Sequence, residues 1–170
     1  MKVPSFDLPL GEIKASLEAL RRPLSIAVLR SNNPFNVGAI IRTAHSFLVR
    51  EIVLVGDEPW YERAAMGMHR YENLVQLGSE DELVAWARDR QLPITVFERE
   101  HATVNLWRAR LPEACLLVFG SENHGVPPAL IAAADEVVGI PMAGINNSFP
   151  VTVAAGIAMA EWTRRHFPGG

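Results

Sequence analysis

Short apolar runs alternate along this chain with longer segments of helical period. Residues 25–29, 52–55, 94–97, 116–119 and 137–140 are largely apolar, and most of the polar, glycine-containing stretches follow directly after them. Between them the spacing predicts helices over 11–22, ended by Pro23, over 36–47, briefly over 61–66, over 80–90, over 128–134 and over 151–166. In 80–90 the stripe is explicit: Leu83, Val84, Trp86 and Ala87 share one face. Strands that are apolar on both faces and alternate with helices predict an α/β fold with a parallel, Rossmann-like sheet, covered by helices on both sides. Sheets of this kind bind ligands at the carboxyl ends of their strands. The polar loops 30–36, 120–127 and 141–150 are therefore the places to look for chemistry.

Composition narrows the picture. At 170 residues and 49% apolar, the chain can bury a core of its own. We expect residues 1–22 to form an N-terminal helical extension and 23–170 a single domain. No apolar run reaches the roughly 20 residues of a membrane helix, and the first residues lack the apolar core of a signal peptide, so a cytoplasmic protein with no membrane partner is expected. Cys115, the one cysteine, lies in the run ACLLVFG and reads as a buried, inert thiol. The formal charge of −3 argues against a generic nucleic-acid binder, although a local basic patch fits within an acidic total. Of sixteen basic residues, only Lys2 and Lys14 are lysines. Arginine suits bidentate phosphate recognition and base stacking; a GC-rich genome would give the same bias.

Each loop has an ordinary reading and a chemical one. In Ser31–Ala44, Asn36 is placed to cap the helix, and Gly38 permits close backbone approach in its first turn. Arg42 follows six residues later among Ala39, Ile40, Ile41 and Ala44, a setting in which a guanidinium needs a partner. A capping Asn and a snorkelling Arg would explain the same residues. The loop Gly120-Ser-Glu-Asn-His-Gly125 puts backbone amides and the Glu122 carboxylate at the end of a strand. It has neither the glycine spacing of a phosphate-cradling loop nor that of a nucleophile elbow. Glu122 could equally favour the helix that follows, and His124 could be an exposed loop residue or a base. No cluster has the spacing of metal ligands, so no metal is expected. The third loop, Gly144-Ile-Asn-Asn-Ser-Phe-Pro150, leads straight into the apolar helix 151–166. Ser148 is placed to cap that helix and Pro150 to occupy its first turn. A polar loop fixed to a buried helix is rigid, as a binding site requires.

Taken together and in this order, the three loops resemble the SPOUT (α/β-knot) superfamily of RNA methyltransferases, specifically its TrmH-like ribose 2′-O-methyltransferases. The resemblance runs from about residue 24 to 167. Its first motif corresponds to 33–44 with Asn36, Gly38 and Arg42. The second corresponds to 117–127 with Gly120 and Glu122, and the third to 140–157 with Pro141, Met142, Gly144 and Ser148. The resemblance implies a deep trefoil knot in the C-terminal part, built from the second and third loops. It implies S-adenosyl-L-methionine as cofactor, contacted around Gly120, Ile140, Met142, Ser148 and Phe149. It also implies a homodimer with the active site across the interface. The implied reaction is attack of an RNA ribose 2′-hydroxyl on the sulfonium methyl group. Arg42 is then the catalytic residue, positioned with the ribose by Asn36 and Glu122. Because a guanidinium stays protonated, we read Arg42 as a phosphate clamp and alkoxide stabiliser rather than a base.

One position departs from the family pattern. Where Ser-Leu-Asn-Val-Ser-Val is usual, this chain reads Ser148-Phe-Pro-Val-Thr-Val153, so a carboxamide is replaced by Pro150. Asn146 or Asn147 supplies the missing group, or the chemistry is weakened. An RNA-binding protein that kept the knotted fold and lost turnover is thus the alternative to an active enzyme. A different nucleotide-binding α/β protein would differ from both in lacking the knot. The expected substrate is tRNA, because the chain shows no added RNA-binding domain. Tyr61, Arg63, His69, Arg70, Arg108 and Arg110 are candidate RNA contacts, or ordinary surface residues.

Overall fold

The computed structural model describes residues 4–122 and 124–168, so Lys2 and Asn123 lie outside the described residues. Helix α1 (Leu10–Glu18) leads into strand β1 (Arg22–Leu29), helix α2 (Phe35–Phe47) and strand β2 (Val49–Val55). Two 3₁₀ turns, Glu62–Ala65 and Met68–Arg70, precede strand β3 (Leu74–Leu77), helix α3 (Glu80–Asp89) and strand β4 (Ile94–Phe97). Then come strands β5 (Val104–Asn105) and β6 (Cys115–Phe119), helix α4 (Pro128–Ala133), strand β7 (Glu136–Gly139) and helix α5 (Val151–His166). The strands form one sheet in the order β3-β2-β1-β6-β4-β7-β5, and every pairing is parallel. The parallel α/β architecture expected from the apolar runs is the one observed.

Successive residues of a strand point to opposite faces, so a sheet covered on both sides must be apolar at every position. Ile26, Ile52 and Leu117 face one way, into a core with Ile40 and Ile41 of α2 and Met159 and Trp162 of α5. Their neighbours Ala27, Val53 and Val118 face the other way, against Leu83 and Trp86 of α3 and Leu130 of α4. Full burial of each large aliphatic side chain contributes roughly 1.5–3 kcal/mol. Helix α1 packs separately, through Ile13 and Leu17 against Leu48 and Tyr71.

Several boundaries differ from the expected ones. Helix α1 ends at Glu18, not at Pro23, and β1 starts at Arg22, with Pro23 inside it where the register shifts. The cause is Arg21: its buried guanidinium donates to the carbonyls of Val49 (2.7 Å) and Tyr71 (2.6 Å) and to Glu72 (2.8 Å). These bonds pull the chain alongside β2 before the proline. Strands β3 and β5 were not expected; both lie at the ends of the sheet, and β5 has only two residues.

Helix α5 has the expected limits. Its far half is pinned to the 105–113 segment: the indole N–H of Trp162 donates to Pro112 O (3.0 Å), Nη2 of Arg165 to Leu106 O (2.6 Å), and His166 Nε2 to Leu111 O (2.8 Å). A helix held in this way fixes the loop at its other end.

Candidate active site

At the carboxyl ends of β4, β6 and β7 lies a cavity of about 540 Å³. Its floor is apolar. Phe97 and Phe119 end β4 and β6 and stack with ring centres 5.1 Å apart. Gly120 and Glu122 of the second loop line it together with Ile140, Met142, Ser148 and Phe149 of the third. Six of the eight residues singled out from the sequence thus meet around one space.

The second loop is rigid for a reason visible in its glycines. Ser121 and Gly125 exchange backbone hydrogen bonds of 3.0 and 2.8 Å, and Gly125 has a φ of +63°. A Cβ on Gly120 would come within 2.4 Å of the Gly125 backbone. Ser121 Oγ also accepts from the His124 amide (3.2 Å), which makes His124 a turn residue on the exposed side.

The third loop is held from across the cavity. Arg99 Nη1 donates to the Asn147 carbonyl at 2.6 Å and to Asn147 Oδ1 at 3.4 Å. Asn147 lines the cavity, whereas Asn146 turns its Nδ2 to the Ser148 carbonyl (3.1 Å). Ser148 does not cap α5. Pro150 occupies the cap position, and its carbonyl accepts from the amides of Val153 (2.9 Å) and Ala154 (3.0 Å). Proline serves there because no amide hydrogen is needed before the first helical turn.

The loop after β4, Glu98-Arg99-Glu100, was missed by the sequence reading. All three residues line the cavity. Glu98 accepts from the amides of Glu100 (3.2 Å) and Val126 (3.3 Å), tying β4 to the second loop. The available signal was three charged residues directly after a buried strand. A second space, of about 450 Å³, adjoins the first and shares Arg99, Ile140 and Met142 with it.

The first loop behaves differently from expectation. Asn36 is not the cap of α2. Pro34 holds that position, and Asn33 Oδ1 accepts from the Phe35 amide (3.2 Å). Asn36 lies in the first turn, 9% exposed, with Nδ2 buried and unpartnered among the described residues. Gly38 does permit close approach: a Cβ there would sit 2.7 Å from the Cβ of Ala64. Arg42 is exposed, and its side chain has no hydrogen-bond partner among the described residues. Neither Asn36 nor Glu122 bonds to it. At 100° per residue Arg42 points about 150° away from the centre of the stripe formed by Val37, Ile40, Ile41 and Ala44. The apolar residues beside it in sequence are therefore not its neighbours in space. Glu122 instead accepts from Asn33 Nδ2 (3.4 Å), which joins the first loop to the second.

Elsewhere, Tyr61 packs on Phe35 with ring centres 4.9 Å apart, His69 approaches Glu62 at 3.8 Å, and Arg110 approaches Glu136 at 3.6 Å. Arg63, Arg70 and Arg108 are exposed. The Cys115 thiol is buried, and desolvation pushes its pKa up to about 12, which leaves it inert. Among the described residues no group of His, Cys, Asp and Glu is arranged to hold a metal ion. None of their helices is long and apolar enough to cross a membrane.

A parallel α/β sheet whose neighbouring strands β6, β4 and β7 open into one loop-walled cavity defines the class of α/β proteins with a candidate ligand site at the strands' carboxyl ends. Within that class, the chain belongs to the SpoU rRNA Methylase family, which it matches over residues 23–160. It is 25% identical over 168 residues to a 23S rRNA (guanosine-2′-O-)-methyltransferase of Haemophilus ducreyi, covering 96% of this chain and 68% of that protein. It is 26% identical over 159 residues to a tRNA (guanosine(18)-2′-O)-methyltransferase of Thermus thermophilus, covering 90% of this chain and 82% of that protein. An AdoMet-bound rRNA methyltransferase from Sinorhizobium meliloti superposes with a TM-score of 0.78 at 26% identity, over 89% of this chain and 60% of that one. The chain thus spans about two thirds or less of the two rRNA enzymes.

Proposed function

We propose that this chain is an S-adenosylmethionine-dependent RNA methyltransferase acting on a ribose 2′-hydroxyl. The observation that carries the proposal is the meeting of the second and third loops around one cavity at the carboxyl ends of β4, β6 and β7. The residues present fit the cofactor. Phe97, Phe119, Ile140 and Phe149 offer apolar surface to an adenine ring, and Glu98, Glu100 and Glu122 offer negative charge to a sulfonium. The volume suits a ligand of that size. When bound, S-adenosylmethionine supplies an electrophilic methyl group. The deep trefoil knot implied by the resemblance is part of this proposal, with the second and third loops as its segments.

The protein's own groups bind and orient. Glu122, held by Asn33 at the cavity wall, orients the ribose hydroxyl. Arg42 acts as a fixed cation, holding an RNA phosphate and stabilising the developing alkoxide, while that phosphate takes the hydroxyl proton. The support for a homodimer is an apolar stripe, Val153, Ile157 and Ala160, spaced i, i+4, i+7 on α5, with Val153 43% exposed. Helix α5 lies against α2, the helix that carries Arg42: a Cβ on Gly156 would meet Thr43 Cγ2 at 3.8 Å. A second copy docked on α5 would therefore approach Arg42, and the active site would form across the interface.

We take tRNA as the substrate to test first, since the tRNA enzyme is matched over more of its own length than the rRNA enzymes. The experiment is transfer of labelled methyl groups to tRNA and to 23S rRNA transcripts, followed by mapping of 2′-O-methyl positions. Label on the ribose of either RNA supports the proposal, and label on tRNA supports the narrower form. Pro150 motivates the second reading, an RNA-binding protein without turnover. Cofactor and RNA binding with no transfer in the parent, and transfer in Pro150→Asn, would establish it.

A further inference from the structure

Arg99 is the one cation among the described residues that line the cavity, and the one charged residue lining the adjoining space. It stands where the two spaces meet. Its Nη1 is taken up by Asn147, while Nε and Nη2 have no partner among the described residues. A guanidinium edge left with two donors matches a carboxylate. Around it the charge is of the opposite sign: Glu98, Glu100 and Glu122 make the lining formally −3, or −2 with Arg99 included. Glu98 is fixed in place by the two amides it accepts from.

A ligand suited to this pattern has cationic groups for the glutamates and one carboxylate for the arginine. S-adenosylmethionine at neutral pH carries a sulfonium, an ammonium and a carboxylate, a net charge of +1. We propose that Arg99 binds the carboxylate of the cofactor's amino-acid arm, with Glu98 and Glu100 on either side to receive its ammonium group. The inference rests on the proposed function and adds a specificity: the site selects cofactors that keep the α-carboxylate. The bond to Asn147 serves this role by fixing the guanidinium plane and by closing the third loop over the same arm.

The test uses the full chain, calorimetric titration and two ligands, S-adenosylmethionine and its decarboxylated form. In Arg99→Ala, the Kd for S-adenosylmethionine should rise on the order of tenfold or more, the loss of a charge-assisted pair. The Kd for the decarboxylated form should stay within about twofold. Arg99→Lys, which keeps the charge and loses the fork, should fall between. Equal weakening of both ligands would overturn the proposal and leave Arg99 as a clasp on the third loop. Unchanged binding of both would also overturn it. A parent chain that binds neither ligand would remove the reading of the cavity itself, an outcome distinct from both. Arg99 is exposed, so its removal leaves the core intact.

Discussion

At the carboxyl ends of β4, β6 and β7 the functional side chains are already tied to one another. Arg99 holds Asn147, Glu98 holds the Val126 amide, and Ser121 and Gly125 close a turn behind Gly120. Around α2, on the same sheet, matters are otherwise. Asn36 has a buried amide without a partner among the described residues, and Arg42 points into solvent. One region is cross-linked loop to loop within the chain, and the side chains of Asn36 and Arg42 in the other are not. Under the proposed function, the contrast separates cofactor binding, assigned to the single chain, from transfer, assigned to RNA and a second copy.

The largest expected effect is on the cross-linked side. In Gly120→Ala, a methyl group placed 2.4 Å from the Gly125 backbone must displace the second loop. Calorimetry should show S-adenosylmethionine binding weakened on the order of a hundredfold, the upper end of the 1–3 kcal/mol typical of overpacking. Unaltered affinity would mean that the loop is not a wall of the cofactor site. Next comes Arg42→Ala. Single-turnover methyl transfer should drop by about two orders of magnitude, with cofactor Kd within twofold. A parallel loss of cofactor binding would erase the distinction between the two regions.

How much of this could be read beforehand depended on which neighbours matter. Strands β1, β2, β4, β6 and β7 were legible because a two-sided parallel sheet leaves continuous apolar runs. Leu74-Val-Gln-Leu77 is partly exposed at the sheet edge and Val104-Asn105 is two residues long, so neither leaves such a run. The second and third loops were legible because they carry motifs. The surroundings of Arg42 were misjudged because its neighbours in sequence are not those on its helix face. Asn36 lost the cap position to Pro34 because Asn33, three residues earlier, already accepts from the Phe35 amide. Glu98-Arg99-Glu100 resembles solvated surface charge until the topology places β4 between β6 and β7. That arrangement, invisible in any local window, turns three surface charges into a cavity wall.

A smaller effect tests the dimer. Val153→Glu puts a charge into the exposed stripe of α5 and should shift sedimentation toward the monomer. Transfer should fall about tenfold or more at low protein concentration, with cofactor binding unchanged. Full transfer by a monomer would place the whole active site in one chain and break the contrast between the two regions.

The smallest effect concerns what keeps the third loop rigid. Glu161 on α5 is 7% exposed and accepts from Arg164 Nε (2.8 Å) and Nη2 (2.9 Å) and from Arg165 Nε (2.7 Å). Arg165 in turn donates to the carbonyls of Leu106 and Ala109. The hydrogen bonds from Arg164 and then Arg165 outweigh burial and lower the Glu161 pKa from 4.5 to about 2. The folded value lies below the unfolded one, so the stabilisation is fully present above pH 4.5 and fades as pH falls towards 2. Linkage sets it at up to about 3 kcal/mol. Glu161→Gln should therefore lower Tm by several degrees at pH 7 and by almost nothing near pH 2. A Tm deficit that persists undiminished at pH 2 would show that the carboxylate's charge is not what matters. If charge is the cause, cofactor affinity in the variant should change far less than Tm. The Trp162 and His166 bonds still hold α5 to the 105–113 segment, and Arg99 still holds the loop from the other side.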